Sequence, residues 1–237
     1  MILAVFMAMC CGLAAEEEAA LSERPMNAVE RGAKLATEQL LTRVLGARAQ
    51  IESVRVDADN QTLEVRGLRL ANPRGFSEGD ALTAGLVRLK ADPRVLFSDA
   101  PTVQLAALEG LIVNAETTLT QGSNLKRLLD NVKELQEKKA AKMLGKGGAA
   151  LQPKQKLWRI EKATLGEAVI NMRTRLLQED KRQIKFGPWE TSFKGANDEG
   201  VPAEKILEQV MERLLKEIDI VPEDSPVRGL LDVVSEL

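Results

Sequence analysis

Histidine and tyrosine are both absent from this chain of 237 residues, and aromatics of every kind make up 3% of it. Without histidine there is no imidazole base, no Ser-His-Asp or Cys-His pair, and no histidine metal ligand. Without tyrosine, and with so little Phe and Trp, the stacking platforms of a single-strand nucleic-acid surface are missing. Trp158 and Trp189 are read as core or rim packing. Cysteine occurs only at the adjacent positions Cys10 and Cys11, so no disulfide framework can staple the folded part. No G-x-G-x-x-G or P-loop pattern is present, and Lys146-Gly147-Gly148 follows a helical stretch instead of opening one. A net charge of -2 argues against a generally basic nucleic-acid binder. We therefore expect no enzyme activity, no metal, no cofactor and no nucleic-acid partner. A paired-carboxylate glycosidase depends on a spatial pairing that sequence spacing does not reveal.

The chain is rich in aliphatic side chains and charge. Hydrophobic residues account for 44%, so a sizeable core can form, built from Leu, Val, Ile and Ala. The charge is uneven: residues 124–185 hold 16 basic and 7 acidic side chains, whereas residues 186–237 hold 5 and 12. One reading of the basic middle is a solvated helix face with strand exteriors. The other is a surface for anionic lipid headgroups or an acidic partner, with Lys126, Arg127, Lys133, Lys138, Lys139 and Lys142 as candidate contacts.

Residues 2–15 are apolar without a break and are followed by Glu16-Glu17-Glu18. The run is short for a spanning helix, which needs about 20 residues, and suits a secretory signal. Gly12-Leu13-Ala14 offers a small-x-small cleavage pattern. No basic residue precedes the run, and Met9 stands where a lipobox would place a small residue before Cys10. The expectation is a signal peptide or short membrane anchor over 1–15, with everything after Glu16 outside the cytoplasm. A helical region over 16–48, an α+β domain over 49–221 and a C-terminal amphipathic tail over 222–237 would follow.

Apolar residues at three- and four-residue spacing predict a helix over 25–49, with Ser22 or Asn27 as cap and Gly46 at its end. From Ala49 the period changes to two. Val54 and Val56 alternate with charged neighbours, as do Leu63 and Val65. Gly67 then switches the parity, and similar slips at Gly85 and Gly110 suggest bulges. Asn72-Pro73-Arg74-Gly75 reads as a turn, and residues 94–97 as a short helical turn. A clear amphipathic helix is expected over 124–143, with Leu125, Leu128, Leu129, Val132 and Leu135 in one stripe. A linker is expected near 145–155. A second set of strands over 157–165, 168–177 and 183–193 follows, with Gly166-Glu167 as a turn and Pro188 limiting the last strand. Residues 203–218 predict a final helix. The expected fold is α+β: a curved, mainly antiparallel meander or groove with amphipathic helices packed on its apolar face. Phe76 is expected to be a core anchor for the 72–75 turn.

The order of these elements resembles the start of AsmA-like bacterial envelope proteins. The segments LEVRGLRLANPRGFSEGDAL, VRLKADPRVLFSDAPTVQLAALEGLIVNAE and SNLKRLLDNV carry the likeness, through an N-P-x-G-F turn, a strand pair ending near a glutamate and an N-L-x-x-L-L helix. The matching positions are Gly67, Leu68, Asn72, Pro73, Gly75, Phe76, Leu96, Glu116, Asn124 and Leu125. The resemblance implies a periplasmic, secreted or inner-membrane-anchored protein. It also implies a non-catalytic role: lipid binding, phospholipid transport or outer-membrane assembly through an apolar groove. The expected partners are membrane or phospholipid and an envelope protein. The alternative is a structural or adaptor protein of the envelope acting through its basic or C-terminal helix.

Overall fold

The computed structural model of the protein describes residues 24–92, 101–118, 121–144, 157–174 and 181–219. The expectations for the leader, the 94–97 turn, Leu96, the 145–155 linker and the C-terminal tail lie outside those residues.

Helix α1 (Ala28–Leu45) begins at Asn27, whose side chain accepts from the Glu30 N–H while the Glu30 carboxylate accepts from the Asn27 N–H. This capping box satisfies two donors that the first turn would otherwise leave bare. Gly46 ends the helix in the left-handed region at φ 64°, where glycine carries no Cβ penalty. The strands are β1 (Ala49–Gln50), β2 (Ser53–Asp57), β3 (Thr62–Ala71), β4 (Asp80–Lys90), β5 (Thr102–Glu109), β6 (Leu111–Thr118) and β7 (Gly122–Ser123). Helix α2 (Asn124–Leu144) follows, then β8 (Leu157–Leu165), β9 (Ala168–Thr174), β10 (Lys181–Phe186), β11 (Trp189–Phe193), β12 (Val201–Pro202) and helix α3 (Ala203–Asp219).

The strands form one curled, mixed sheet, a half-barrel, within an α+β fold. Most pairings are antiparallel, as the alternating pattern implied. Two are parallel: β5 with β8 and β6 with β9. Here the simple meander needs correction. Gly166-Glu167 is no hairpin turn, because β8 and β9 run in one direction alongside β5 and β6. Their register holds from Thr102 opposite Arg159 to Thr117 opposite Thr174. The chain between β7 and β8, which includes α2, acts as the crossover that a parallel pair requires.

A row of glycines crosses the sheet. Gly67 in β3 and Gly85 in β4 lie between the facing pairs Arg66–Leu86 and Leu68–Ala84. Gly85 N–H donates to the Gly110 carbonyl at 3.2 Å, and Gly166 N–H to the Leu108 carbonyl at 2.9 Å. A Cβ on Gly187 would stand 2.9 Å from the Gly166 carbonyl oxygen. Gly110 adopts φ 62° where β5 hands over to β6, a conformation that costs other residues about 1–2 kcal/mol. Glycine at these neighbouring positions leaves one level of β3, β4 and the adjoining strand ends free of side chains, a device that favours a curled sheet over a flat one.

Core residues come from helices and strands alike. Leu125, Leu128 and Val132 of α2 are buried in one cluster with Leu111, Val113 and Ile170 of the sheet and Leu41 and Val44 of α1. Helix α1 contacts β1 and β2, α2 contacts β6 and β7, and α2 also touches both other helices. Trp158 is buried in the core. Trp189 is half-buried, and the Arg213 guanidinium sits 4.9 Å from its ring centre, within cation–π range.

Candidate functional site

The matched position Asn72 lies far from Glu116 and Asn124 in the chain and meets them in the folded protein. Asn124, the first residue of α2, is completely buried. Its Nδ2 donates to Asn72 Oδ1 and to the Asn114 carbonyl, both at 2.7 Å. Its Oδ1 accepts from the Glu116 N–H at 2.9 Å. Asn72 Nδ2 in turn donates to the Ser77 carbonyl at 3.2 Å. The buried Glu116 carboxylate accepts from the Ser77 N–H at 3.0 Å and from the Ser77 hydroxyl. One asparagine therefore ties the 72–77 turn, strand β6 and helix α2 into a unit, and polar groups this deep require such partners.

The other matched positions serve the backbone and the core. Gly67 adopts φ 62° inside β3, and Gly75 adopts φ 97° in the turn. Leu68, Pro73 and Leu125 are buried. Phe76 is a correction: it is half-buried and stands outside the hydrophobic cluster. The turn is held by the hydrogen bonds of Asn72 and Ser77 instead, so the ring need not be buried to fix it.

A second polar line runs across three strands. Gln183 Nε2 donates to Asn171 Oδ1 at 3.1 Å, and Asn171 Nδ2 to Asn114 Oδ1 at 2.9 Å. Asn114 Nδ2 then donates to the Asp80 carbonyl at 2.7 Å. These side chains face one another because β10, β9 and β6 place Gln183 opposite Asn171 and Asn171 opposite Asn114. Their parity is opposite to that of the buried Val113 and Ile170. A cleft of about 550 Å³ lies along this ladder, lined also by Ser77, Glu78, Glu116 and Arg173. Ser77, Asn114, Asn171, Arg173 and Gln183 were not singled out in the sequence. The available signal was asparagine inside a strand, where it is disfavoured without a partner.

Four of the six basic candidates on α2 have described side chains. Lys126 and Arg127 are exposed. Lys133 reaches Glu208 and Glu212 of α3 at 3.7 and 3.6 Å, and Lys138 pairs with Glu134 at 3.2 Å. The side chains of Lys139 and Lys142 lie outside the described residues. Glu208 is held below the ordinary carboxylate value, first by its hydrogen bond from Lys205 and against the upward push of burial.

An ionic cluster closes the other helix. Glu30 is completely buried and accepts from Arg24 Nη2 at 2.6 Å, Arg24 Nη1 at 3.0 Å and the Val56 N–H at 3.1 Å, with Arg55 Nη1 at 3.5 Å. Burial pushes its pKa up, but the bonds from Arg24, Asn27 and Val56 outweigh that, so the group stays below the ordinary value. On β3, burial pushes Glu64 up, and the hydrogen bonds and charges of Arg66 and Arg88 bring it below the ordinary value.

Among the described residues no group of His, Cys, Asp and Glu is placed to hold a metal ion. Among them, too, no helix is long and apolar enough to cross a membrane. No protein-family model, curated protein or solved structure matches this chain.

Proposed function

We propose that this chain is a non-catalytic protein of the bacterial cell envelope that binds phospholipid, assisting its transport or outer-membrane assembly. The observation that supports the reading best is the Asn72–Asn124 hydrogen bond. The N-P-x-G-F turn and the N-L-x-x-L-L helix are separate motifs in the resemblance to AsmA-like proteins. In this chain a 2.7 Å contact joins them, within a fold whose sheet is a curled half-barrel. A bent sheet with one aliphatic side suits acyl chains, whose burial contributes about 0.8 kcal/mol per methylene. Periplasmic exposure, behind a cleaved signal or a short anchor, belongs to the same proposal.

Native mass spectrometry with lipid extraction tests it on the full chain purified from bacterial membranes and periplasm. Co-purifying phospholipid is the expected result. A lipid-free protein that also takes up none from mixed phosphatidylethanolamine–phosphatidylglycerol vesicles would overturn the reading. Fusing residues 1–24 to an export-dependent reporter tests location separately.

A second reading, an envelope adaptor acting through its helices, is favoured by one observation. Among the described residues only Leu35 and Ile112 are large hydrophobics left exposed, at 56% and 40%, so most of the aliphatic surface is already covered. The exposed pair Lys126 and Arg127 at the start of α2 would then face an acidic partner.

A further inference from the structure

We propose that the cleft beside the amide ladder is a sugar-binding site, taking a glycan unit of one or two rings that carries an acetamido group. The proposal does not rest on the lipid reading. The ladder residues have the opposite parity to the core residues Val113 and Ile170, so a ligand bonded to the ladder amides lies on the side of the strands away from those two core residues.

Size and chemistry select the ligand class. A volume of about 550 Å³ lies within the range of small-molecule sites, roughly 300–1,000 Å³. Its lining is amides, carboxylates, a hydroxyl and one guanidinium, with Met172 and Ala115 as the apolar contributors. An apolar ligand would strip water from those polar groups and return no hydrogen bonds. Among the described lining residues, a phosphate or carboxylate ligand would meet Glu78, Asp80 and Glu116 against Arg173, an unfavourable balance. Sugar hydroxyls both donate and accept, and planar side chains such as Asn, Gln and Arg present matching groups side by side.

The unused bonding capacity of the ladder points to the acetamido group. Each amide in it spends one N–H on the next group. At the exposed end, the Gln183 carbonyl oxygen accepts nothing among the described residues, and Asn171 keeps its second N–H. An acetamido N–H donating to Gln183 Oε1 would repeat the amide-to-amide step that links Gln183, Asn171 and Asn114. Arg173 is exposed, forms no ion pair among the described residues and stands in register beside Glu116. Its fork of donors would take a pair of ring hydroxyls or the acetamido oxygen.

Titration calorimetry and ligand-observed NMR on the full chain test this with N-acetylglucosamine and its β-1,4-linked dimer. Glucose serves as the probe without an amide, and N-acetylglycine methylamide as the probe without a sugar. The acetamido sugars are expected to bind with Kd of about 1 mM or tighter, and glucose about tenfold more weakly. Arg173→Ala and Gln183→Ala should each weaken the acetamido sugars about tenfold. Both side chains are exposed, so the melting temperature should hold and loss of binding would not reflect unfolding. Absence of sugar binding, binding that ignores both substitutions, or equal binding of the peptide amide would each overturn the proposal. Lipid co-purification should be the same in both variants, which separates this result from the fate of the lipid reading.

Discussion

Glu30 and Asn124 are both completely buried, and both fasten the first turn of a helix to the sheet, but one is charged and the other neutral. Glu30 binds two guanidiniums and two backbone N–H groups and joins α1 to β2. Asn124 joins α2 to β6 and to the 72–77 turn through three neutral bonds. A buried ion pair gains from strong attraction but has given up the hydration of every charge in it, so its net worth is small while its loss is severe. A buried amide has less to gain and leaves less behind. The two hubs should therefore differ in how they fail more than in how much they hold.

The largest effect should come from the charged hub. Glu30→Ala would take the carboxylate from Arg24 and from Arg55, whose Nε already lacks a partner and whose Nη2 would keep only the Arg24 carbonyl, and would leave the Val56 N–H without its acceptor. Breaking a buried pair from one side typically costs about 3–5 kcal/mol. Chemical denaturation of the variant should show that loss. A cost under about 1 kcal/mol, the range of exposed pairs, would mean that water reaches the cluster and that the comparison is drawn too sharply.

The neutral hub should cost less. Asn124→Ala leaves the Asn114 carbonyl, Asn72 Oδ1 and the Glu116 N–H without this partner, and each stranded buried group costs about 1–3 kcal/mol before relaxation. Because the turn can shift toward solvent, a net loss of about 2–3 kcal/mol is expected. Asn72→Ala shares that hydrogen bond, so the double variant should lose less than the two single ones together. Additive losses in the double-mutant cycle would show that the 2.7 Å contact carries no coupling.

Acid separates the hubs most cleanly. Glu30 sits below its ordinary value of 4.5 in the folded protein, so the fold favours its ionised form. Its contribution is complete above 4.5 and is lost as the pH falls through the lowered native value. The groups that face it are the guanidiniums of Arg24 and Arg55. The stability gap between the wild-type chain and Glu30→Gln should thus shrink as the pH is lowered from about 6 to 3. The gap for Asn124→Ala, which removes no titrating group, should change less. Equal narrowing for both variants would refute the distinction.

The two hubs were unequally legible in the sequence. Asn124 heads an N-L-x-x-L-L stretch, so it drew notice, although its partners did not. The link to Asn72 spans 52 positions, and local periodicity carries no register between segments that distant. Glu30 drew no notice, although it stands three residues after the candidate cap Asn27, at capping-box spacing. Its second role depends on Arg55, which looked like an ordinary polar-face residue of an alternating strand. The strands, the helix ends at Asn27 and Gly46 and the parity slip at Gly67 were readable because each is decided within a few residues. The parallel pairing of β5–β6 with β8–β9 was not. Alternation shows which face of a strand is wet but not which neighbour it pairs with, so Gly166-Glu167 looked like a turn. The amide ladder was hidden for the same reason, being assembled from one residue on each of three strands.

Phe76 gives the smallest expected effect and the narrowest test of what holds the 72–77 turn. Were the ring a core anchor, Phe76→Ala would cost about 3–5 kcal/mol. It is half-buried and outside the hydrophobic cluster, and its N–H makes only a 3.3 Å turn bond to the Pro73 carbonyl, which alanine would keep. The hydrogen bonds that Asn124 donates to Asn72 and that Ser77 donates to Glu116 do not involve the ring. Loss of part of an aromatic's burial should therefore cost about 1 kcal/mol, below the Asn124→Ala value. Urea midpoints of the two variants, measured together, decide the matter. If Phe76→Ala proved as damaging as Asn124→Ala, apolar burial would be the turn's main support and the amide hub secondary.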